Sequence, residues 1–182
     1  MKKFLLSVVI AINMIACNTN NEKPIETSSD KIEVKDTANE KLTEISFEDY
    51  KTEYKEATEK ARIDFNSNPN YKVYKTVISE TYHANQVSFA GNYTIATWGC
   101  GTSCIYGVMV DIRDGKIYNL PSDDEWEGIG NKLDHNKEST LLITILSGVN
   151  FGDGIDTMKK YWKWNESEKK FEFIKTLEFK GE

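Results

Sequence analysis

Two cysteines separated by three residues, Cys100 and Cys104, are the side chains in this sequence best suited to chemistry. Thioredoxin-like redox catalysis uses Cys-x-x-Cys at the N-terminus of a helix, where the helix dipole lowers the thiol pKa. Here the spacer is one residue longer and the flanking segments have the pattern of strands. The spacing therefore argues against redox catalysis and favours a structural role for the pair.

Ser103, between the two cysteines, is the candidate nucleophile. Residues 101–105 lack the second glycine of a nucleophile elbow, and their context is strand-loop-strand rather than strand-turn-helix. A hydrolase would require His83, Ser103 and a carboxylate such as Asp111 or Asp153 to converge in the fold. We therefore assign no catalytic residue and keep an envelope hydrolase that uses His83 and Ser103 as an alternative.

Two acidic segments are candidate cation sites. One surrounds Trp126, and the other is the flexible segment Gly152-Asp153-Gly154-Ile155-Asp156. The carboxylates of the first are Asp123, Asp124, Glu125 and Glu127. Neither segment has the alternating ligand spacing and terminal Glu of a calcium-binding loop, so solvated acidic loops are the favoured interpretation. We predict no metal and no cofactor.

The segment Trp98-Gly99-Cys100-Gly101-Thr102-Ser103-Cys104 is the candidate binding loop. Gly99 and Gly101 allow a sharp turn that would present Thr102 and Ser103 outward. A rigid loop loses little entropy when it binds a partner, which favours a recognition role. The alternative is a purely structural hairpin end beside a packed Trp98.

The segments around this loop alternate with the period of β-strands. Tyr93, Ile95 and Thr97 face one way, and the residues between them face the other. Residues 105–112 form a second β-branched run, and Asp114-Gly115 predicts a tight hairpin turn into residues 116–120.

The C-terminal half predicts three further strands. Residues 140–146 form a nearly continuous apolar run, typical of a central strand covered on both faces. Residues 158–164 and 171–179 flank a polar turn at 165–168 and predict a final hairpin. His135 is expected in a solvated turn at residues 134–137.

The N-terminal part of the domain predicts a helix. Ser46-Phe47-Glu48-Asp49 resembles a capping box with Asp in place of Glu, and apolar residues follow at steps of three and four as far as Phe65. Residues 71–84 are ambiguous between a strand with a turn and a short helix. The expected fold is α+β: an antiparallel five- to six-stranded β-meander with one N-terminal amphipathic helix packed on it.

The first residues predict export and lipidation. Lys2 and Lys3 precede a short apolar run that ends in Met14-Ile15-Ala16-Cys17, the pattern of a lipobox. We therefore expect residues 1–16 to be a lipoprotein signal peptide and Cys17 to carry the lipid. Residues 17–44 have the composition of a disordered tether, and residues 45–182 form the single α+β domain. Because Asn18 rather than Asp follows the cysteine, an outer-membrane location in the cell envelope is favoured.

Lipidation constrains the remaining cysteines and the charge. With Cys17 acylated, Cys100 and Cys104 are an even pair in an oxidising compartment, which predicts a disulfide and removes both thiolates from any zinc site. Loss of Lys2 and Lys3 leaves 21 basic residues against 29 acidic ones, so the net charge falls from -6 to -8. Nucleic acid is therefore not an expected partner.

Three motifs within residues 89–118 resemble a group of uncharacterised secreted bacterial proteins. They are Phe89-Ala90-Gly91-Asn92-Tyr93, the Trp-Gly-Cys-Gly-x-x-Cys loop, and Asp111 followed by Gly115-Lys116-Ile117-Tyr118. Asn92 stands where the resemblance leads us to expect His. The resemblance implies an extracytoplasmic β-rich domain and brings no known reaction with it.

These observations favour an interaction domain over an enzyme. The expected partners are the membrane, through the N-terminal lipid, and an extracytoplasmic protein or cell-wall component. One specific version is a lysozyme inhibitor, since periplasmic inhibitors of lysozyme are similar in having an antiparallel sheet with a disulfide-closed hairpin. A structural envelope component without a discrete ligand is the other alternative.

Overall fold

The computed structural model describes residues 44–54, 56, 59–122 and 128–181. The first sheet is antiparallel and has three strands in the order β1-β2-β3. They are β1 (Tyr93–Gly101), β2 (Cys104–Asp111) and β3 (Ile117–Asn119). Tyr93 pairs with Asp111 at one end of β1, and Gly101 pairs with Cys104 at the other. The hairpin predicted at Asp114-Gly115 is confirmed, and the cysteine loop likewise joins two paired strands.

The second sheet is also antiparallel and has four strands in the order β4-β5-β6-β7. They are β4 (Lys132–His135), β5 (Leu141–Ser147), β6 (Ile155–Asn165) and β7 (Lys170–Lys180). Every residue of β5 from Leu141 to Leu146 is buried, and β5 is an inner strand, as its continuous apolar run predicted. The final hairpin is likewise confirmed.

The prediction of a single meander of five or six strands was wrong in detail, because the described residues contain seven strands in two sheets. β4 was not predicted, because it is short and half-exposed and its apolar alternation is weak. His135 is the last residue of this strand rather than a turn residue, and the turn begins after it. The two sheets share one core, in which Tyr93 and Met109 of the first sheet pack with Leu142 and Trp164 of the second.

The N-terminal helix is the second correction. The predicted capping box is present: Ser46 Oγ accepts from the Glu48 amide at 3.2 Å, and Asp49 Oδ2 accepts from the Ser46 amide at 3.0 Å. This capping box is followed only by a short 3-10 helix, Phe47–Tyr50. The described residues from 51 to 65 belong to no helix. Backbone pairing with the segment before β5 competes with the helix here, since Lys51 bridges to Ser139.

The aromatic residues of this segment are half-buried and pack against two different core clusters. Phe47 and Tyr50 pack on the second sheet, beside Leu141 and Tyr161. Tyr54 and Phe65 instead join the cluster around the α-helix. Helical spacing of aromatic residues therefore arose here without a helix.

The α-helix of the described residues is α1, Lys75–Ala84, which follows a 3-10 helix at Pro69–Tyr74. It resolves the ambiguity of residues 71–84. Ile78 and Tyr82 are its buried residues, and they pack with Ala96 and Val108 of the first sheet. The α-helix thus covers one face of the first sheet.

Candidate functional site

The loop between β1 and β2 is closed by a disulfide between Cys100 and Cys104, whose Cα atoms are 5.2 Å apart. Gly101, Thr102 and Ser103 are all exposed. Gly101 has φ +144° and Ser103 has φ +56°, so the loop turns through backbone angles that favour glycine. The candidate binding loop is therefore a short, exposed and covalently closed turn.

The segment that enters β4 supports this loop from behind. Gly128 has φ +94°, and a Cβ atom placed there would lie 2.6 Å from the Ile105 carbonyl oxygen and 2.9 Å from Cys104 Sγ. The next amide, Ile129 N, donates to the Ile105 oxygen at 3.0 Å. A cavity of about 320 Å³ lies beside the loop, lined also by Gly130, Leu146 and Val149.

The base of the loop carries an aromatic patch, made of Tyr71, Tyr74, Trp98 and Tyr106. Trp98 and Tyr106 are cross-strand partners, and Tyr74 stacks on Trp98 with ring centroids 4.6 Å apart. Burial, with the neighbouring Tyr74 and Tyr106, raises the pKa of Tyr71. Tyr106 is 39% exposed and Val73, next to Tyr74, is 82% exposed. Trp98 itself is half-buried and packs against the cluster around α1, and its buried Nε1 makes no hydrogen bond to a described residue.

The side chains of the hydrolase alternative have separate partners. Asp111 is 2% exposed and is held by Arg113, whose Nε donates to Asp111 Oδ1 at 2.8 Å. His83 is exposed on α1 and contacts the Tyr82 ring. Among the described residues, no hydrogen bond joins His83 to Ser103, Asp111 or Asp153. His135 lies elsewhere, with Nδ1 2.8 Å from the Ser88 carbonyl oxygen.

Of the two acidic segments, the structure describes only the one at residues 152–156. Residues 123–127, with Trp126 and its four flanking carboxylates, lie outside the described residues. Asp153 is exposed in the loop before β6 and has φ +50°, and Asp156 is exposed at the second residue of β6. The described part of the chain contains no cluster of three or more His, Cys, Asp or Glu side chains placed to hold a metal ion.

A polar cluster that sequence reasoning missed joins the two sheets. Its centre is the Tyr93 hydroxyl, which donates to Glu166 Oε2 at 2.6 Å and accepts from Lys169 Nζ at 2.7 Å. Arg113 Nη2 also donates to this hydroxyl at 3.2 Å and reaches Glu166 Oε1 at 2.7 Å. Trp164 Nε1 donates to Glu166 Oε2 at 2.8 Å. The turn between β6 and β7 is thereby bound to β1.

The environment within this cluster keeps Glu166 ionised and Tyr93 neutral. Burial by itself would raise the pKa of Glu166, but hydrogen bonds from Lys169, Tyr93, Arg113 and Trp164 lower it to about 2. Burial, together with the hydrogen bond to Glu166, raises the pKa of the Tyr93 hydroxyl. Tyr93 is therefore a neutral donor, which suits a structural bond better than catalysis by phenolate.

Two of the motif residues noted in the sequence meet in this cluster. Tyr93 ends the first motif and Asp111 begins the third, and they pair across β1 and β2. The two motifs are close together in the sequence and could be recognised there, but Glu166 and Lys169 lie more than 50 residues beyond Asp111. No short-range signal identified these two partners.

A cleft of about 450 Å³ opens next to the polar cluster. The lining residues belong to β3, β6 and β7 or to the segments next to these strands, and Asn68 precedes the 3-10 helix that starts at Pro69. They are Asn68, Ile117, Tyr118, Asn119, Leu120, Pro121, Ser122, Trp162, Trp164, Lys169, Lys170 and Phe171.

In comparisons with known proteins, the chain matches no protein-family model, no curated protein and no solved structure. No helix in the described residues combines the length and apolar composition needed to cross a membrane. Cys17 and the predicted signal peptide lie outside those residues. The lipid anchor and the resemblance to secreted bacterial proteins therefore stay predictions.

Proposed function

We propose that this chain is a lipid-anchored binding protein of the cell envelope, which docks an extracytoplasmic partner through the stapled loop Cys100–Cys104. The lipobox at Cys17 supports the location, and the disulfide of the loop is the oxidised form that such a compartment favours. An outer-membrane position is favoured because Asn18, rather than Asp, follows the lipidated cysteine. The membrane is the first partner, through the lipid.

The observation that carries the binding role is the combination of exposure and restraint in one loop. Thr102 and Ser103 are exposed, yet the loop is closed by a disulfide and backed by the segment at Gly128. A loop that is already ordered loses little conformational entropy on binding. Tyr106 and Trp98 at its base are of the residue types that dominate binding energy at protein interfaces.

A basic lysozyme is the partner that we propose to test first. The loop itself is uncharged, so it can enter a polar cleft without burying an ionised side chain. The net charge of -8 in the mature chain would steer encounters with a basic enzyme. Hydrogen bonds from Thr102 and Ser103 would then fix the docking geometry.

The test is a lysozyme activity assay with the purified mature chain in detergent. Inhibition at micromolar concentration is expected for the wild type, and Thr102→Arg is expected to weaken it by about a hundredfold because a large charged side chain would occupy the tip. Thr102→Ser is the matched control, since it keeps the hydroxyl, and it should inhibit nearly as well.

Unchanged lysozyme activity at micromolar protein would discard this partner. Equal inhibition by wild type and Thr102→Arg, with both variants folded by circular dichroism, would contradict docking through the loop. Turnover of an envelope substrate that depends on Ser103 would instead support the hydrolase alternative.

A further inference from the structure

The cleft of about 450 Å³ beside the polar cluster contains none of the residues of the stapled loop. Its volume falls within the range of roughly 300–1,000 Å³ that is typical of small-ligand sites. Residues from both sheets line it, Tyr118 from β3 and Trp162 from β6 among them. Because the polar cluster binds the turn between β6 and β7 to β1, the two walls are held at a set distance.

Aromatic rings form much of the lining. Tyr118 and Trp164 are in edge contact with centroids 5.6 Å apart, and Phe171 lies 5.0 Å from Trp164. The indole N–H groups are already used, because Trp162 Nε1 donates to Thr144 and Trp164 Nε1 donates to Glu166. Trp164 is buried, so the half-buried rings of Tyr118, Trp162 and Phe171 are the ones that offer apolar surface to a ligand.

Two amide side chains provide the polar contacts at the other wall. Asn68 Nδ2 donates to Asn119 Oδ1 at 2.9 Å, and Asn119 is exposed. This bond uses one donor and one acceptor of the pair. Asn68 Oδ1 and Asn119 Nδ2 make no hydrogen bond to a described residue, so the pair still offers one acceptor and one donor. Vicinal hydroxyl groups match that arrangement, since each can both donate and accept.

The charges at the cleft argue against an anionic ligand. Lys169 Nζ is 2.6 Å from Glu166 Oε1, and Lys170 Nζ is 2.5 Å from Glu168 Oε2. Both cations that line the cleft are thus neutralised by a neighbouring carboxylate, and the whole chain has a net charge of -6. An anion would find no unpaired cation among the described residues that line the cleft.

We propose that this cleft binds an uncharged oligosaccharide. The apolar C–H face of a sugar ring, which is weakly positive, would stack on the Trp162 and Tyr118 rings. The sugar hydroxyls would pair with the free amide groups of Asn68 and Asn119. The site is additional to the proposed docking role of the stapled loop and does not depend on it.

The test is a titration of the mature chain in detergent with N-acetylglucosamine tetramer and with glucose tetramer, followed by NMR chemical shifts. Saturable binding with a Kd in about the millimolar range is expected for at least one sugar. Trp162→Ala should weaken binding by about tenfold or more through loss of the stacking face. Asn119→Ala changes only an exposed side chain, so it tests the site even if Trp162→Ala fails to fold.

Asn70→Ala is the matched control, because Asn70 is exposed two residues from Asn68 and does not line the cleft. Thr102→Arg should also bind the sugar normally, which separates this site from the stapled loop. Absence of saturable binding to both sugars would overturn the proposal. Binding unaffected by Asn119→Ala, or binding of a tetra-alanine peptide in place of the sugars, would do the same.

Discussion

Tyr93 is fully buried, and its hydroxyl makes hydrogen bonds that connect the two sheets. It donates to Glu166 and accepts from Lys169 and Arg113. A buried polar group stabilises a protein only when its hydrogen bonds are made, because its desolvation is costly. The ring also contacts Trp164 at 5.4 Å between centroids. One residue therefore joins the apolar core to the inter-sheet polar cluster.

Tyr93→Phe is expected to lower the free energy of unfolding by about 1.5–3 kcal/mol, because it removes a hydroxyl bonded to charged groups and leaves the ring in place. Chemical denaturation at neutral pH measures the change. Tyr118→Phe is the matched control, since the Tyr118 hydroxyl makes no hydrogen bond to a described residue. A loss as large in the control would contradict this account.

Glu166 predicts a pH dependence of stability. Its pKa in the folded protein is about 2, against an ordinary value of 4.5. The lowered pKa means that its contribution is fully present above about pH 4.5 and is lost as the pH falls towards 2. Glu166→Gln should therefore be less stable than wild type at pH 7, with the difference shrinking over this window. Because the carboxylate is 46% exposed, solvent screening limits the size of the effect.

Denaturation curves at pH 7 and pH 3 measure that difference. Glu168→Gln is the control, because it removes the same charge from the same turn but affects only the surface pair with Lys170. A wild type and a Glu166→Gln variant whose stabilities fall in parallel with pH would argue that Glu166 is not ionised in the cluster.

At the scale of elements, the segment from Gly128 to Asn131 carries the chain into the second sheet. Ile129 N donates to the Ile105 oxygen at 3.0 Å, and Asn131 N donates to the Ile145 oxygen at 2.9 Å. These bonds tie one short segment to β2 and to β5. Ile129 itself is buried in the core that the sheets share. The segment thus sets the stapled loop against the second sheet.

Gly128→Ala is expected to destabilise the fold by about 1–3 kcal/mol. A side chain would be strained at φ +94°, and its Cβ would lie too close to the Ile105 carbonyl oxygen. Thermal denaturation measures the loss, and hydrogen exchange should show faster opening of the loop amides. Gly99→Ala is the matched control, since a Cβ atom there would meet nothing within 4 Å. Equal stability of wild type and Gly128→Ala would show that the segment can shift without cost.

For the molecule as a whole, the prediction concerns its attachment. Cys17 is expected to be the lipid-bearing N-terminal residue of the mature chain, because it ends the lipobox Met14-Ile15-Ala16-Cys17. Cys17→Ala should abolish acylation and leave the signal peptide uncleaved at this position. Intact mass spectrometry of the protein extracted from membranes distinguishes the two forms.

Cys100→Ala with Cys104→Ala is the matched control, since it removes two cysteines and should leave the acyl mass unchanged. An unmodified Cys17 in the wild type would contradict the lipoprotein interpretation. It would also weaken the argument for an oxidising compartment, on which the disulfide was first predicted.

Local patterns accounted for most of the strands. The alternation in β1, the apolar run of β5 and the turn at Asp114-Gly115 each depend on neighbouring residues only. The helix predicted at Ser46 failed because its capping box is also satisfied by a single 3-10 turn, after which pairing with Ser139 prevails. A short half-exposed strand such as β4 has too little alternation to be distinguished from a loop.

The sequence alone determined the likeness to a lipoprotein, the disulfide prediction and the position of the candidate binding loop, because each depends on residue types a few positions apart. Only the tertiary structure decided that the strands divide into two sheets, since that depends on which long-range pairs form. It also brought Tyr93 to Glu166 across 73 positions of sequence and opened the cleft beside them. Such contacts come from packing between distant segments, and no local spacing encodes them.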